Sequence, residues 1–130
     1  VEFPDNLKYT DNDEWILVEG DTGIAGISDF AQDQLSDVVY VEITAAIGDE
    51  VGKGEAFGLV ESVKAAADVY MPVTGTITEV NEALVDTPEL VNSNPYGEAW
   101  MVKFKLSDPS QLDDLLNAKD YMKSVEDRSN

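Results

Sequence analysis

From Glu14 to Val102 the chain is written in short β-branched and aromatic runs, each closed by glycine, proline, asparagine or aspartate. That rhythm demands a mainly β body. "EWILVEG" (Glu14–Gly20) alternates briefly and ends at Gly20-Asp21, a hairpin signal, so "TGIAGI" (Thr22–Ile27) reads as its returning strand. Val38–Ile43 is a strand by its β-branched and aromatic content. Further strands are expected over Ala56–Glu61, over Ala66–Met71 as far as Pro72, over Gly75–Asn81, and over "WMVKFKL" (Trp100–Leu106). The glycines at 48, 52, 54 and 58 read as turn formers, since no helix start or GK[ST] follows to make a phosphate loop. Gly48–Val51 and Asn81–Leu84 follow similar strands, which hints at a duplicated hairpin with a lysine-bearing turn between the halves.

Two segments change period. In Ser28–Leu35, Phe30, Ala31 and Leu35 share one helical face behind Ser28 or Asp29 as N-cap. In the tail, Asp108-Pro109-Ser110-Gln111 is a capping pattern with proline at the first helical position. Leu112, Leu115 and Leu116 form an apolar face, and Ala118, Tyr121, Met122 and Val125 form a second. A short helix, a kink and a second helix are expected, fraying after Glu126. The boundaries are thus one domain over 1–130, with a hairpin core at about 38–102 and a helical tail over 108–127.

Composition removes whole classes of chemistry. The chain has no cysteine and no histidine, which excludes disulfides, thiol nucleophiles, imidazole acid–base catalysis and the usual zinc or iron–sulfur ligand sets. Twenty-seven acids against seven lysines and one arginine give a net charge of −19, which repels nucleic acid and anionic membranes. Such charge favours solubility and attraction to basic protein surfaces. No apolar run approaches a membrane span and no signal-peptide pattern opens the chain, so a soluble protein is expected. With no nucleophile–base pair and no metal cluster, an enzyme in its own right has little support.

One cation stands apart. Lys64 lies between "ESV" and "AAA", in a reversal between two strands where neither sheet face is available to it. A side chain there points to solvent among small residues, open to an attaching enzyme. The spacing alone fits an ordinary turn lysine more often than an attachment site. A Schiff-base role fits less well, because Glu61 and Asp68 would oppose the lowered pKa it needs. Glu14 and Asp68, beside apolar residues at strand ends, are either solvated edge acids or the lining of a groove near the lysine. Trp15 and Trp100 read as core or rim aromatics, since no basic residues interleave with them.

"ESVKAAAD" followed by "MPVTGTITEVN" resembles the lipoyl-lysine hairpin of the glycine cleavage system H proteins. The resemblance runs through "LKYTDNDEW" (Leu7–Trp15), "GISDFAQDQLSDVVYVEI" (Gly26–Ile43), "PELVNSNPYGEAWM" (Pro88–Met101) and the Leu-Leu…Tyr tail. It implies a barrel-sandwich hybrid of β-strands with added helices, lipoate attached to Lys64, and no catalysis by the chain itself. It implies carriage of the aminomethyl group of glycine from a pyridoxal-phosphate glycine decarboxylase (P protein) to a tetrahydrofolate aminomethyltransferase (T protein). Reoxidation by dihydrolipoyl dehydrogenase (L protein) and loading by a lipoate-attaching enzyme are implied too. Glu14 and Asp68 match positions that line the cleft of the loaded arm. Bacterial cytoplasm and mitochondrial matrix fit equally, and nothing demands more than a monomer. An H-like lipoyl carrier of another pathway, in sulfur oxidation or lipoyl relay, would carry the same motifs. A biotinyl carrier fits less well, because Val63 and Ala65, not methionines, flank the lysine. The chain departs from the pattern at Asp13, where the family usually has His, and at Ser36, where it usually has Gly.

Overall fold

The computed structural model describes residues 1–129. In chain order the elements are β1 (Lys8–Tyr9), β2 (Glu14–Glu19), β3 (Thr22–Ile27), α1 (Asp29–Leu35), β4 (Val38–Ile43), β5 (Glu50–Val51), β6 (Ala56–Ser62) and β7 (Ala66–Tyr70). Then follow β8 (Gly75–Val80), α2 (Ala83–Asp86), α3 (Leu90–Ser93), β9 (Val102–Leu106), a 3₁₀ turn (Pro109–Asp114) and α4 (Ala118–Ser129). The strands form two antiparallel sheets, ordered β1-β2-β3-β9-β8-β5 and β4-β6-β7. Neither sheet closes on itself, and the arrangement is mainly β with added helices, a barrel-sandwich hybrid.

The core joins the two sheets. Ile16, Ala25, Ile77 and Phe104 from the larger sheet share one apolar cluster with Val41, Phe57, Val60 and Val69 from the smaller. Each is almost wholly removed from water, and a fully buried side chain of this kind contributes roughly 1.5–3 kcal/mol. A second cluster sets α4 against the start of the chain. Tyr121 stacks on Tyr9 with ring centroids 4.5 Å apart and planes 4° from parallel, and Leu7, Trp15, Ala118 and Val125 surround the pair.

Several expectations are corrected. Gly58 is no turn former: it lies inside β6, where a Cβ would come 2.9 Å from the Glu42 carbonyl oxygen of β4. The two supposed half-repeats diverge, since Glu50–Val51 is a strand whereas Ala83–Asp86 is a helix. A further short helix, α3, which no period in the sequence announced, lies within "PELVNSNPYGEAWM". The capped segment after Asp108 is 3₁₀ rather than α, so Leu112 and Leu115 pack on the main core and Leu116 bridges to Tyr9. Met122 does not share the buried face of α4, being 40% exposed. The last helix spans Ala118–Ser129, three residues beyond Glu126.

Candidate functional site: a lysine tip above an acidic cleft

The β6–β7 hairpin reverses through Ser62–Ala65, and its tip is closed by its own serine. The Ser62 amide donates to the Ala65 carbonyl at 2.7 Å. The Ser62 hydroxyl oxygen accepts the amides of Lys64 at 3.3 Å and Ala65 at 3.1 Å. The remaining tip amide, Val63, donates to the Asp37 carbonyl at 3.0 Å, which moors the tip to the turn between α1 and β4. The backbone donors of the tip are thus paired, while the Lys64 side chain stands in solvent. Among the described residues, no ion pair engages its ammonium group.

Below the tip lies a cleft of about 200 Å³. The hairpin contributes Val60, Ala67, Asp68 and Val69, α1 contributes Ala31, Gln34 and Leu35, β3 contributes Ile27, and the turn before β2 with its first residue contributes Asn12, Asp13 and Glu14. Asp68 stands four residues from Lys64, two residues into β7 from its start at Ala66. Most of the lining is aliphatic, with carboxylates from two elements, Asp13 and Glu14 on one and Asp68 on the other.

Glu14 and Asp68 are both on this cleft, but in different environments. Asp68 is exposed in the middle of β7, not at a strand end. Glu14 is 2% exposed, so it is not a solvated edge acid. Its Oε1 accepts the Thr10 hydroxyl and its Oε2 accepts the Tyr70 amide at 3.3 Å. Burial pushes its pKa from 4.5 up to about 7; the two hydrogen bonds oppose the rise and the nearby Asp13 adds to it. It also borders a second cleft of about 210 Å³, lined on the far side by Lys53 and Asp114, which pair at 3.4 Å.

Thr10 builds the turn that presents Glu14. Its hydroxyl oxygen accepts the amides of Asn12 and Glu14, each at 3.2 Å, while its own amide donates to the Glu14 carbonyl at 3.0 Å. This closure forces Asp13 into the left-handed region at φ 68°, which aspartate tolerates better than most residues. The departure at Asp13 has a partner in this chain. Arg128 of α4 donates to Asp13 Oδ1 at 2.7 Å and to Oδ2 at 3.3 Å, and Tyr121 donates to Oδ1 at 2.9 Å. Sequence reasoning missed this contact; its one signal was the chain's single arginine placed in an acidic tail.

No helix among the described residues is long and apolar enough to cross a membrane, and none of their His, Cys, Asp or Glu side chains cluster as metal ligands. Residues 7–128 match the family described as Glycine cleavage H-protein. The glycine cleavage system H protein of Carboxydothermus hydrogenoformans is 50% identical over 124 residues, covering 95% of each chain. That of Vibrio campbellii is 54% identical over 122 residues, covering 93% of this chain and 96% of its own. The crystal structure of a glycine cleavage system H protein from Mycobacterium marinum superposes with a TM-score of 0.82 at 32% identity, covering 95% of this chain and 98% of that one.

Proposed function

The chain belongs to the glycine cleavage H-protein family, and from that premise we propose that it is a lipoyl carrier modified on Lys64. Family membership gives it a role in the glycine cleavage system. The finer reading rests on one observation: an exposed lysine on a hydrogen-bonded tip, engaged by no ion pair among the described residues, ends the hairpin that lines a cleft of aliphatic side chains and three carboxylates. Attachment forms an amide as the neutral Lys64 amine attacks an activated acyl group brought by the attaching enzyme, expelling the activating group and losing a proton, so the reacting nitrogen must be reachable and the backbone beneath it fixed.

The lipoyl group supplies disulfide and dithiol chemistry that a chain without cysteine cannot. The protein's part is to hold and expose. Ala31, Leu35 and Ala67, each partly exposed on the cleft, offer apolar contact to an arm folded back from the tip. Glu14 offers a carboxyl group to an amine at its end, and a neighbouring ammonium favours the ionised carboxylate. Such a pair slows loss of the aminomethyl cargo to water. The chain receives that cargo at a pyridoxal-phosphate glycine decarboxylase, surrenders it at a tetrahydrofolate aminomethyltransferase, and is reoxidised by dihydrolipoyl dehydrogenase. It acts as a carrier, with no catalytic step of its own.

Intact mass and peptide mapping of the protein from its own cell test the reading. A lipoyl adduct on Lys64, lost in Lys64→Arg with folding unchanged, supports it. A biotin adduct, or an unmodified Lys64 in a cell that makes lipoate, overturns it.

A further inference from the structure

We propose that Arg128 is a positioning residue for the arm cleft: by gripping Asp13 it fixes the turn that presents Glu14 and keeps the Asp13 carboxylate from competing for the cleft. The inference rests on the reading of that cleft as the resting place of the loaded arm.

Four contacts carry it. The guanidinium meets both Asp13 carboxylate oxygens, a two-pronged geometry that fixes direction as well as charge. Its Nη1 also reaches the Asp11 carbonyl at 3.5 Å, so it spans the turn on which Glu14 sits. It lies 5.3 Å from the centre of the Phe30 ring on α1, the opposite wall of the cleft. Beneath it, Tyr121 gives its one proton to Asp13 Oδ1, so the Ser28 hydroxyl, 2.6 Å away, must donate to Tyr121. Ser28 is the N-cap of α1, accepting the Ala31 amide, and its own amide donates to the Asp13 carbonyl at 2.8 Å. One helix face thus ties together both walls between which the arm would lie.

Charge points the same way. Asp13, Glu14 and Asp68 all line the cleft. The Asp13 side chain is only 19% exposed, so an unpartnered carboxylate there would be poorly solvated and would seek a cation in the cleft. Arg128 supplies that cation from outside, which leaves Glu14 and Asp68 to meet a cargo amine. The arginine end of the pair stays in contact with solvent, 39% exposed, which limits what the pair contributes to global stability. Its value here is in placement, where a small displacement of a binding group is costly.

The test uses the full-length lipoylated protein as wild type, Arg128→Gln, Arg128→Lys, Asp13→Asn and the Arg128→Gln/Asp13→Asn double variant. In the unloaded protein, exchange of the Ser28 and Tyr70 amides should quicken in Arg128→Gln by up to about fivefold, while the Ile77 amide in β8 is unmoved. Release of the aminomethyl cargo to water should rise by a similar factor. Arg128→Lys should restore part of both, and the double variant should be no worse than either single one. Arg128→Gln with wild-type exchange and release overturns the inference. So does a uniform rise over all amides, which is global destabilisation, or faster Ser28 exchange with unchanged release. Glu14→Gln separates the two levels. If it releases cargo no faster than wild type, the cleft reading fails and takes this inference with it. If it does release faster and Arg128→Gln does not, the positioning role alone fails.

Discussion

The Asn92 side chain holds the carbonyl of Ser36 at 2.8 Å, and Ser36 sits at φ 68°, ψ −151°, a region that glycine occupies almost alone. The same amide accepts the Val38 N–H at 2.8 Å and donates to the Gln32 side chain at 2.9 Å. One residue of α3 thus over-determines the turn between α1 and β4. That turn in turn carries the Asp37 carbonyl that moors the lysine tip. Strain of this kind costs roughly 1–3 kcal/mol, partly offset because glycine loses more freedom on folding. Ser36→Gly should therefore stabilise the protein by about 1 kcal/mol. Asn92→Ala, which leaves the part-buried Val38 amide without a partner and releases the exposed Ser36 carbonyl to water, should cost about 2 kcal/mol. Urea midpoints of the two variants check both signs.

Glu14 makes stability depend on pH in the unusual direction. Burial raises its folded-state pKa from 4.5 to about 7, so the folded protein holds this proton more tightly than the unfolded chain. Below 4.5 the group is neutral in both states and costs nothing. As pH rises towards 7 the unfolded chain gains by ionising and the folded one does not, so stability falls and then levels off. A shift of this size corresponds to roughly 3 kcal/mol. Glu14→Gln keeps groups able to meet Thr10 and the Tyr70 amide. It should match wild type near pH 4 and exceed it by roughly 2–3 kcal/mol at pH 8. Urea unfolding of both proteins at the two pH values measures the difference, in which the many other carboxylates cancel.

What the sequence made legible follows from where its signals are local. Gly20, at φ 64°, punctuates the β2–β3 hairpin, Ser28 caps α1, and Val38–Ile43 forms β4 because its branched side chains fit a pleated, half-buried surface. The lysine tip was readable for the same reason, as a short reversal between two strands. The cleft was not. Glu14 and Asp68 are brought together by pairings that depend on the whole fold, and nothing near Glu14 in sequence announces that α1 and the hairpin will bury it. The α2 and α3 helices, four residues each, are too short to leave a period. Arg128 escaped because a polar helix end reads as fraying until its partner, 115 positions away, is known.

Packing across the sheet gives a third expectation. The Phe104 ring of β9 lies on Gly23 of β3 on one side and Gly75 of β8 on the other. A Cβ at Gly23 would stand 2.6 Å from the ring, and one at Gly75 would meet both the ring and the Lys105 carbonyl oxygen. The ring is wholly buried, and the neighbouring backbone at Gly75 cannot yield as a side chain could. Gly75→Ala should cost about 3 kcal/mol, and Gly75→Ala with Phe104→Leu should recover part of it by vacating the space. Thermal melts of the single and double variants measure the recovery.

The acid excess should matter most where the arm is presented. Asp37, Glu42 and Asp68 are exposed around the hairpin that carries Lys64, within a chain of net charge −19. A carrier that visits several enzymes in succession needs contacts that form fast and part easily, and long-range attraction quickens encounter without tightening the final complex. At 1 M salt the screening length falls to about 3 Å, too short for that attraction to act. Turnover in the reconstituted glycine cleavage system at sub-saturating carrier should therefore fall as salt rises, by about tenfold or more between low and high ionic strength. Asp37→Asn/Glu42→Gln, which removes two exposed acids, should start lower and fall less steeply. Equal slopes for wild type and variant would place the steering charge elsewhere on the surface. A flat response in both would mean that the acids serve solubility alone.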